Sequence, residues 1–320
     1  MPSNQTPLGA LPARFRRARI LIIGCGDVGM RVVRALPQRV RVLALTSLPQ
    51  RKAALRALGV TPIVGDLDHP LTVRRLAGLA DHVIHLAPPP VDHVAFRDTD
   101  PRTVGLVRAL RLRQAPRVMV YGSTTGVYGD CGGARVDETR KLAPGTDRAR
   151  RRVHAERQLR AFGRVSGART TILRIPGIYA PDRPGGTPRE RLLRGTPALR
   201  EVDDVYTNHI HADDLARACA AALFRARPLR TFNACDDSEL LVGDYYDLAA
   251  DLAGVQRPPR MPRAELQRVL TPQQMSFLAE SRRLVNRRLR EELRLVLRYP
   301  TVEDGLRRGC PPWRVSTPRR

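Results

Sequence analysis

The stretch Ile20-Leu21-Ile22-Ile23-Gly24-Cys25-Gly26-Asp27-Val28-Gly29 constrains the fold more than any other part of the chain. An apolar run leads directly into Gly-x-Gly-x-x-Gly, and helical spacing follows from Val28 to Leu36. A dinucleotide-binding βαβ unit needs this order. Gly24 permits the tight turn, Gly26 lets backbone approach a pyrophosphate, and Gly29 lets the helix pack on the strand. Asp27 and Val28 then open a helix whose unpaired N–H groups face the phosphates.

The same alternation continues downstream. Apolar runs at 40–45, 62–64, 82–86, 118–121 and 170–175 read as buried parallel strands, separated by helical patterns at 50–58, 72–79, 102–113 and 147–162. Alternating strands and helices call for an α/β fold, a doubly wound parallel sheet of Rossmann type. After Ile175 the chain changes character. Residues 176–195, rich in Gly, Pro and Arg, read as loop, and helical and strand patterns return at 212–225, 231–234, 244–252 and 263–270. The expected organisation is a flexible arm (1–17), a nucleotide-binding core (18–175), a mixed substrate lobe with returning sheet elements (176–310) and a Pro/Arg-rich tail (311–320).

Composition narrows the function. The formal charge is +25, from 56 Lys and Arg against 31 Asp and Glu. Nearly all of the positive charge is arginine, since Lys52 and Lys141 are the only lysines. The arginines are scattered over every helical pattern, few aromatics are available to stack bases, and no helix-turn-helix or zinc-finger spacing occurs. A specific nucleic-acid partner is therefore not expected, although salt-sensitive contact with polyanions is. No apolar run reaches the roughly 18 residues of a membrane span. Five cysteines without paired spacing fit a reduced, cytoplasmic protein. His82, His85, His93, His209 and His211 lack the convergent partners of a metal site, so no metal is expected. The expected partner is a small-molecule substrate; a homo-oligomer stays open.

The cofactor edge can be read further. An NAD-selective site places an acid about 20 residues past the glycines, to bond the ribose hydroxyls. Here the second strand ends Leu45-Thr46-Ser47, with Arg51 and Lys52 following. Hydroxyls and cations without an acid favour a 2′-phosphate, so NADP is preferred over NAD. Asp66 and Leu67, after the third strand, are placed to meet adenine, with Asp66 as a turn cap the alternative. Leu86, Ala87 and Pro88 end the fourth strand at the same edge, where they line the pyrophosphate and nicotinamide ribose or simply form a rigid turn.

Four further segments carry a resemblance. They are Tyr121-Gly122-Ser123-Thr124-Thr125-Gly126-Val127-Tyr128-Gly129, Leu173-Arg174-Ile175-Pro176-Gly177-Ile178-Tyr179-Ala180-Pro181, Asn208-His209-Ile210-His211-Ala212-Asp213-Asp214-Leu215-Ala216 and Phe232-Asn233-Ala234. With the glycines, in this order, the chain resembles the extended and atypical short-chain dehydrogenases/reductases, especially their sugar-nucleotide epimerase/dehydratase-like members. The resemblance implies an NAD(P)-binding domain with a C-terminal substrate lobe. It puts Thr124 where a hydroxyl bonds the reacting oxygen, Ser123, Pro176 and Ile178 near the cofactor, and Asn208 near the substrate.

The family's acid–base pair is a Tyr with a Lys four residues later, on one face of a helix. No tyrosine of this chain is followed by Lys at that spacing. On the expected helix, anchored by Ala155-Glu156, Arg148 and Arg152 stand in those places, and arginine is no ordinary acid or base. Three readings follow: an enzyme with a substitute acid (Tyr128, Tyr179 or His154), an enzyme whose Arg148 and Arg152 clamp an anionic substrate, or a non-catalytic NADP(H)-sensing or partner-binding module.

Overall fold

The structure, a computed structural model, describes residues 17–90 and 97–307. Residues 1–16 of the expected arm, the 311–320 tail, His93 and Cys310 lie outside them.

Seven strands build one sheet: β1 (Arg19–Ile23), β2 (Arg41–Thr46), β3 (Thr61–Val64), β4 (His82–His85), β5 (Val118–Thr124), β6 (Arg169–Ile175) and β7 (Arg230–Asn233). All neighbours are parallel, in the order β7-β6-β5-β4-β1-β2-β3. The order reverses between β1 and β4, so a crevice opens beyond their C-terminal ends. The helices are α1 (Asp27–Ala35), α2 (Lys52–Ala57), α3 (Pro70–Val73), α4 (Pro101–Leu110), α5 (Asp147–Ser166), α6 (Arg189–Leu193), α7 (Ala212–Arg225), α8 (Val242–Ala253), α9 (Arg263–Val269), α10 (Pro272–Phe277), α11 (Arg287–Glu291) and α12 (Val302–Arg307).

Alternation along the strands splits the core into two layers. Ile20, Ile22, Val42, Ala44, Ile84 and Val120 face α1, α7 and α11, meeting Val32, Leu215, Ala222 and Leu289. Leu21, Ile23, Leu43, Val83, Met119 and Tyr121 face α4 and α5, meeting Leu106, Leu110, Leu159 and Phe162. His82 and His85, an odd step apart on β4, point to opposite layers: His82 meets Phe224 of α7, whereas His85 meets Tyr121 and Thr103.

Beyond Ile175 the chain packs around smaller cores, one with Tyr179, Tyr245, Ala249 and Leu306, another with Leu199, Val205, Leu266 and Leu278. The stretch expected to be loop, 176–195, holds a strand at Gly177–Tyr179 and helix α6. That strand lies parallel to His209–His211. The Pro- and Gly-rich composition hid it because its hydrogen-bonding partner is some thirty residues away in sequence. Helices α10, α11 and α12 also formed without a sequence expectation. Among the described residues, no helix is long and apolar enough to cross a membrane.

Candidate functional site

The three glycines of the first loop have distinct roles. Gly24 sits at φ +84°, and a Cβ there would come within 2.5 Å of the Ala87 amide nitrogen. The closeness comes from Leu86 and Ala87, whose N–H groups both donate to the Ile23 carbonyl, at 2.8 and 3.1 Å. A Cβ on Gly29 would lie 3.1 Å from the Gly24 carbonyl oxygen and 3.3 Å from Cys25 Sγ, so the helix packs tightly on its own loop. A Cβ on Gly26 would meet nothing within 4 Å. Gly26 is the N-cap of α1 and no side chain caps the helix, so its first turn opens on free space at the crevice. These features fit a pyrophosphate, which needs bare backbone and unspent N–H groups.

Around the loop, Arg51 Nη2 donates to the Cys25 carbonyl at 2.8 Å, so its guanidinium spans the glycine loop and the start of α2. Thr46 is buried and its hydroxyl is engaged with the backbone of Leu48 in a turn. Ser47 is exposed beside it. Asp66 Oδ1 accepts from the Asp68 N–H at 3.0 Å, and the Asp66 N–H donates to Thr72. Oδ1 thus caps a turn, while Oδ2 lies 3.6 Å from His69 Nδ1 on a carboxylate that stays part-exposed at the crevice edge. Leu67 is buried in the core, and the Pro88 carbonyl accepts from Arg102. Asp27 is tied to Arg31 and Arg183, which neutralise a carboxylate at the helix start.

A cavity of about 540 Å³ continues from this edge between the sheet and the C-terminal segments. Val28, Leu86, Ser123, Thr124, Pro176 and Ile178 reach its wall, as do Arg148 and Arg152 of α5 and Asn208. Gly24, Gly26, Thr46, Ser47, Arg51, Asp66 and Ala87 lie outside it along the crevice.

Helix α5 starts at Thr146, whose hydroxyl caps the Ala149 N–H. A buried ion pair fixes its roll: Glu156, on the same face as Arg152, binds Arg174 of β6 at 2.9 Å and accepts from the Ser123 hydroxyl at 2.7 Å. The Ser123 proton is thus spent on Glu156, which leaves its hydroxyl oxygen as an acceptor at the cavity wall. Arg152 Nη1 donates to the Gly122 carbonyl at 2.7 Å and to the Tyr121 hydroxyl at 3.0 Å. Arg148 lies over the Phe277 ring of α10, its guanidinium carbon 4.7 Å from the ring centre. The Thr124 hydroxyl, half-buried, accepts only a long bond from the Gly126 N–H and faces the cavity.

Several expected residues are elsewhere. Tyr128 is buried; its hydroxyl donates to Asn233 Oδ1 at 2.6 Å and its ring lies under Arg174. It is a core residue, not an acid at the cavity. Tyr179 donates to the Thr301 carbonyl, and His154 accepts from the Asp100 N–H on the far side of α5. Neither reaches the cavity wall. Asn208 spends its amide on both sides, accepting from the Leu284 N–H and donating to the Arg282 carbonyl, each at 2.9 Å. It pins the 282–284 segment and has little left for a substrate.

The cavity also has walls that the sequence did not disclose: Tyr206, Tyr245, Tyr246, Phe277, Arg191, Arg282, Glu280 and His209. Arg191 stacks over Tyr246, and Arg282 pairs with Glu280 at 2.7 Å. Burial raises the phenols of Tyr245 and Tyr246, and pushes His209 down to about 4, so its imidazole is neutral at pH 7. Among the described residues no group of three or more His, Cys, Asp or Glu could hold a metal ion.

A family model described as the NAD dependent epimerase/dehydratase family matches residues 20–235. The chain belongs to that family. Solved structures have the same fold. A functionally unknown protein from Silicibacter pomeroyi is 30% identical, with a TM-score of 0.75 over 91% of this chain and 98% of that one. UDP-glucose 4-epimerase from Thermotoga maritima, solved with UDP-glucose, gives 20% identity and a TM-score of 0.72, covering 90% and 96%. The Thermus thermophilus UDP-glucose 4-epimerase complex with NAD gives 24% and 0.71, also covering 90% and 96%. No protein of curated function matches the chain.

Proposed function

We propose that this epimerase/dehydratase-family protein binds NADP(H), or NAD(H), along the crevice and acts as an oxidoreductase or epimerase/dehydratase-like enzyme on a small anionic or sugar-nucleotide substrate, without a Tyr–Lys pair. The observation that carries this reading is a juxtaposition. The open Cβ position at Gly26 stands at the head of a crevice that leads to a cavity whose inner wall presents Thr124, Arg148 and Arg152.

Gly24, Gly26, Asp27, Val28 and Gly29 would hold the pyrophosphate, with Leu86, Ala87 and Pro88 across from them. Ser47 and Arg51 would meet the adenosine ribose, and Pro176 and Ile178 the nicotinamide. The bound cofactor supplies or accepts a hydride. The Thr124 hydroxyl hydrogen-bonds the reacting oxygen, and the guanidinium of Arg152, fixed by Gly122 and Tyr121, stabilises negative charge developing there. The proton is exchanged with water, because arginine keeps its own. The free thiols Cys25, Cys131, Cys219 and Cys235 suit a cytoplasmic setting.

A second reading, a non-catalytic NADP(H)-sensing module, is favoured by one observation: among the described residues the cavity lining holds no lysine, and its histidine, His209, is buried and held well below its ordinary value. Calorimetric titration with NADPH, NADP⁺, NADH and NAD⁺ tests the common part. Tight binding with preference for the phosphorylated forms is expected, and absence of binding to all four defeats both readings. Turnover on a panel of carbonyls, alcohols and sugar nucleotides then separates them.

A further inference from the structure

The cavity has one acid among its charged walls, and that acid is spoken for. Glu280 pairs with Arg282, which also donates to the Gly129 carbonyl. Arg191 donates to the Pro197 carbonyl and lies flat on Tyr246. Two cations remain. Arg152 commits one terminal nitrogen to Gly122 and Tyr121 and has the rest of its fork unspent. Arg148 makes no hydrogen bond to any acceptor among the described residues; it stacks on Phe277 and feels the charge of Glu280 without a direct bond to it. The two are four residues apart on α5, so their side chains share a face. Elsewhere the same cavity is walled by Tyr245, Tyr246, Phe277, Val242 and Leu278.

We infer that the group read at the inner end of the cavity is a carboxylate, held between Arg148 and Arg152, on a molecule with a flat apolar body that lies against the tyrosines and Phe277. The inference rests on the cofactor reading only for its setting, and deepens it by naming the substrate class. A planar guanidinium presents paired N–H donors that match two carboxylate oxygens, and it does so best where apolar walls exclude water. The first turn of α5 lies beside Arg148, but there the Thr146 hydroxyl caps the Ala149 N–H, unlike the uncapped start of α1 at Gly26, so the unspent donors at this end are the two guanidinium forks. Phe277 holds Arg148 by its face, which fixes the fork without consuming a donor. The aromatic wall then supplies apolar contact for the remainder of the molecule.

The test is equilibrium binding to the purified full chain, with and without saturating NADP⁺, using trans-cinnamate, its neutral isostere cinnamamide, phenyl phosphate and UDP-glucose as probes. None needs to react. Cinnamate is expected to bind at least tenfold more tightly than cinnamamide. Arg148→Met and Arg152→Met are each expected to remove most of that advantage while cinnamamide affinity stays put. Arg148→Lys, which keeps the charge and loses the fork, should fall between and guards against a misfolded Met variant. Equal binding of acid and amide, no detectable cinnamate binding, or tighter binding of phenyl phosphate or UDP-glucose that depends on Arg148 would overturn the inference. An NADPH titration on the same sample separates the two claims. Cinnamate binding without NADPH binding would retire the cofactor reading and keep the carboxylate site. The reverse would do the opposite.

Discussion

The glycine loop and the α5 face lie at the two ends of one crevice, and they relate to their family differently. The loop has the three glycines of a dinucleotide turn: Gly24 and Gly29 are held bare by close neighbours, and Gly26 leaves open space. On the α5 face, the resemblance read from the sequence puts Arg148 and Arg152 where a phenol and an amine would be expected. Around the two arginines, Thr146 caps the helix start, Glu156 pairs with Arg174, and the Gly122 carbonyl accepts from Arg152. On the proposed reading, this scaffold holds a helix face at the sheet edge that would read charge instead of moving protons.

The sharpest way to break this comparison is within the loop. Gly24→Val forces a side chain into the left-handed region and onto Ala87, so it should lower stability by roughly 4 kcal/mol. Gly26→Val meets nothing, so its denaturant midpoint should hold within about 0.5 kcal/mol while NADPH affinity falls by about 100-fold or more, because the side chain fills the space the pyrophosphate needs. If Gly26→Val binds NADPH like the parent, the crevice is no cofactor site and the contrast between the two regions disappears.

Acid should then separate the regions. His85 is fully buried and held down to about 3, and His209 to about 4, both by desolvation. The ordinary value is 6.5, so the unfolded chain takes up these protons first. Stability is complete above 6.5 and falls as pH drops toward the folded values, at about 1.4 kcal/mol per unit for each histidine. At pH 5 the pair should cost about 4 kcal/mol, read by urea denaturation at pH 7 and pH 5. His209→Phe keeps a ring on Tyr245 and should remove about half of the slope. An unchanged slope would place the acid sensitivity elsewhere.

Glu156→Gln probes the frame beneath the arginines. It leaves Arg174 buried without its counter-charge, and should cost about 3 kcal/mol while Arg152 loses its alignment. Cinnamate affinity should fall with it and NADPH affinity should change little. Equal losses for both ligands would mean that α5 supports the whole crevice and that the two ends are not independent.

The difference in legibility has the same origin. The loop is local: strand, turn and helix are contiguous, so Gly24, Gly26 and Gly29 announce themselves. The arginines could be placed because Ala155-Glu156 sets the helical register. The aromatic wall could not, since Tyr206, Tyr245, Tyr246 and Phe277 come from segments brought together only by tertiary packing. Tyr128 and Asn208 misled for the complementary reason. A motif places a residue on an element, but its depth and its hydrogen-bond partners depend on distant chain, here Asn233 and the 282–284 segment. The strand at Gly177–Tyr179 was missed because a three-residue strand has too little sequence to show a period, and its ladder is supplied by His209–His211.

The smallest expected effect concerns cofactor choice. With the Thr46 hydroxyl engaged in a turn, Arg51, Ser47 and Lys52 are the groups expected to meet a 2′-phosphate. Arg51 already touches the loop, donating to Cys25. Arg51→Gln should lower NADPH affinity about tenfold, or 1.4 kcal/mol, and NADH affinity by no more than about twofold. Ser47→Asp should push the same ratio further by adding an acid beside the ribose hydroxyls. Both ratios come from parallel titrations of the two nucleotides at one ionic strength. If Arg51→Gln weakens NADPH and NADH alike, the guanidinium is a brace for the glycine loop, acting through the Cys25 carbonyl. The cofactor edge would then select for a dinucleotide by shape alone, and arginines would read charge only at the α5 end.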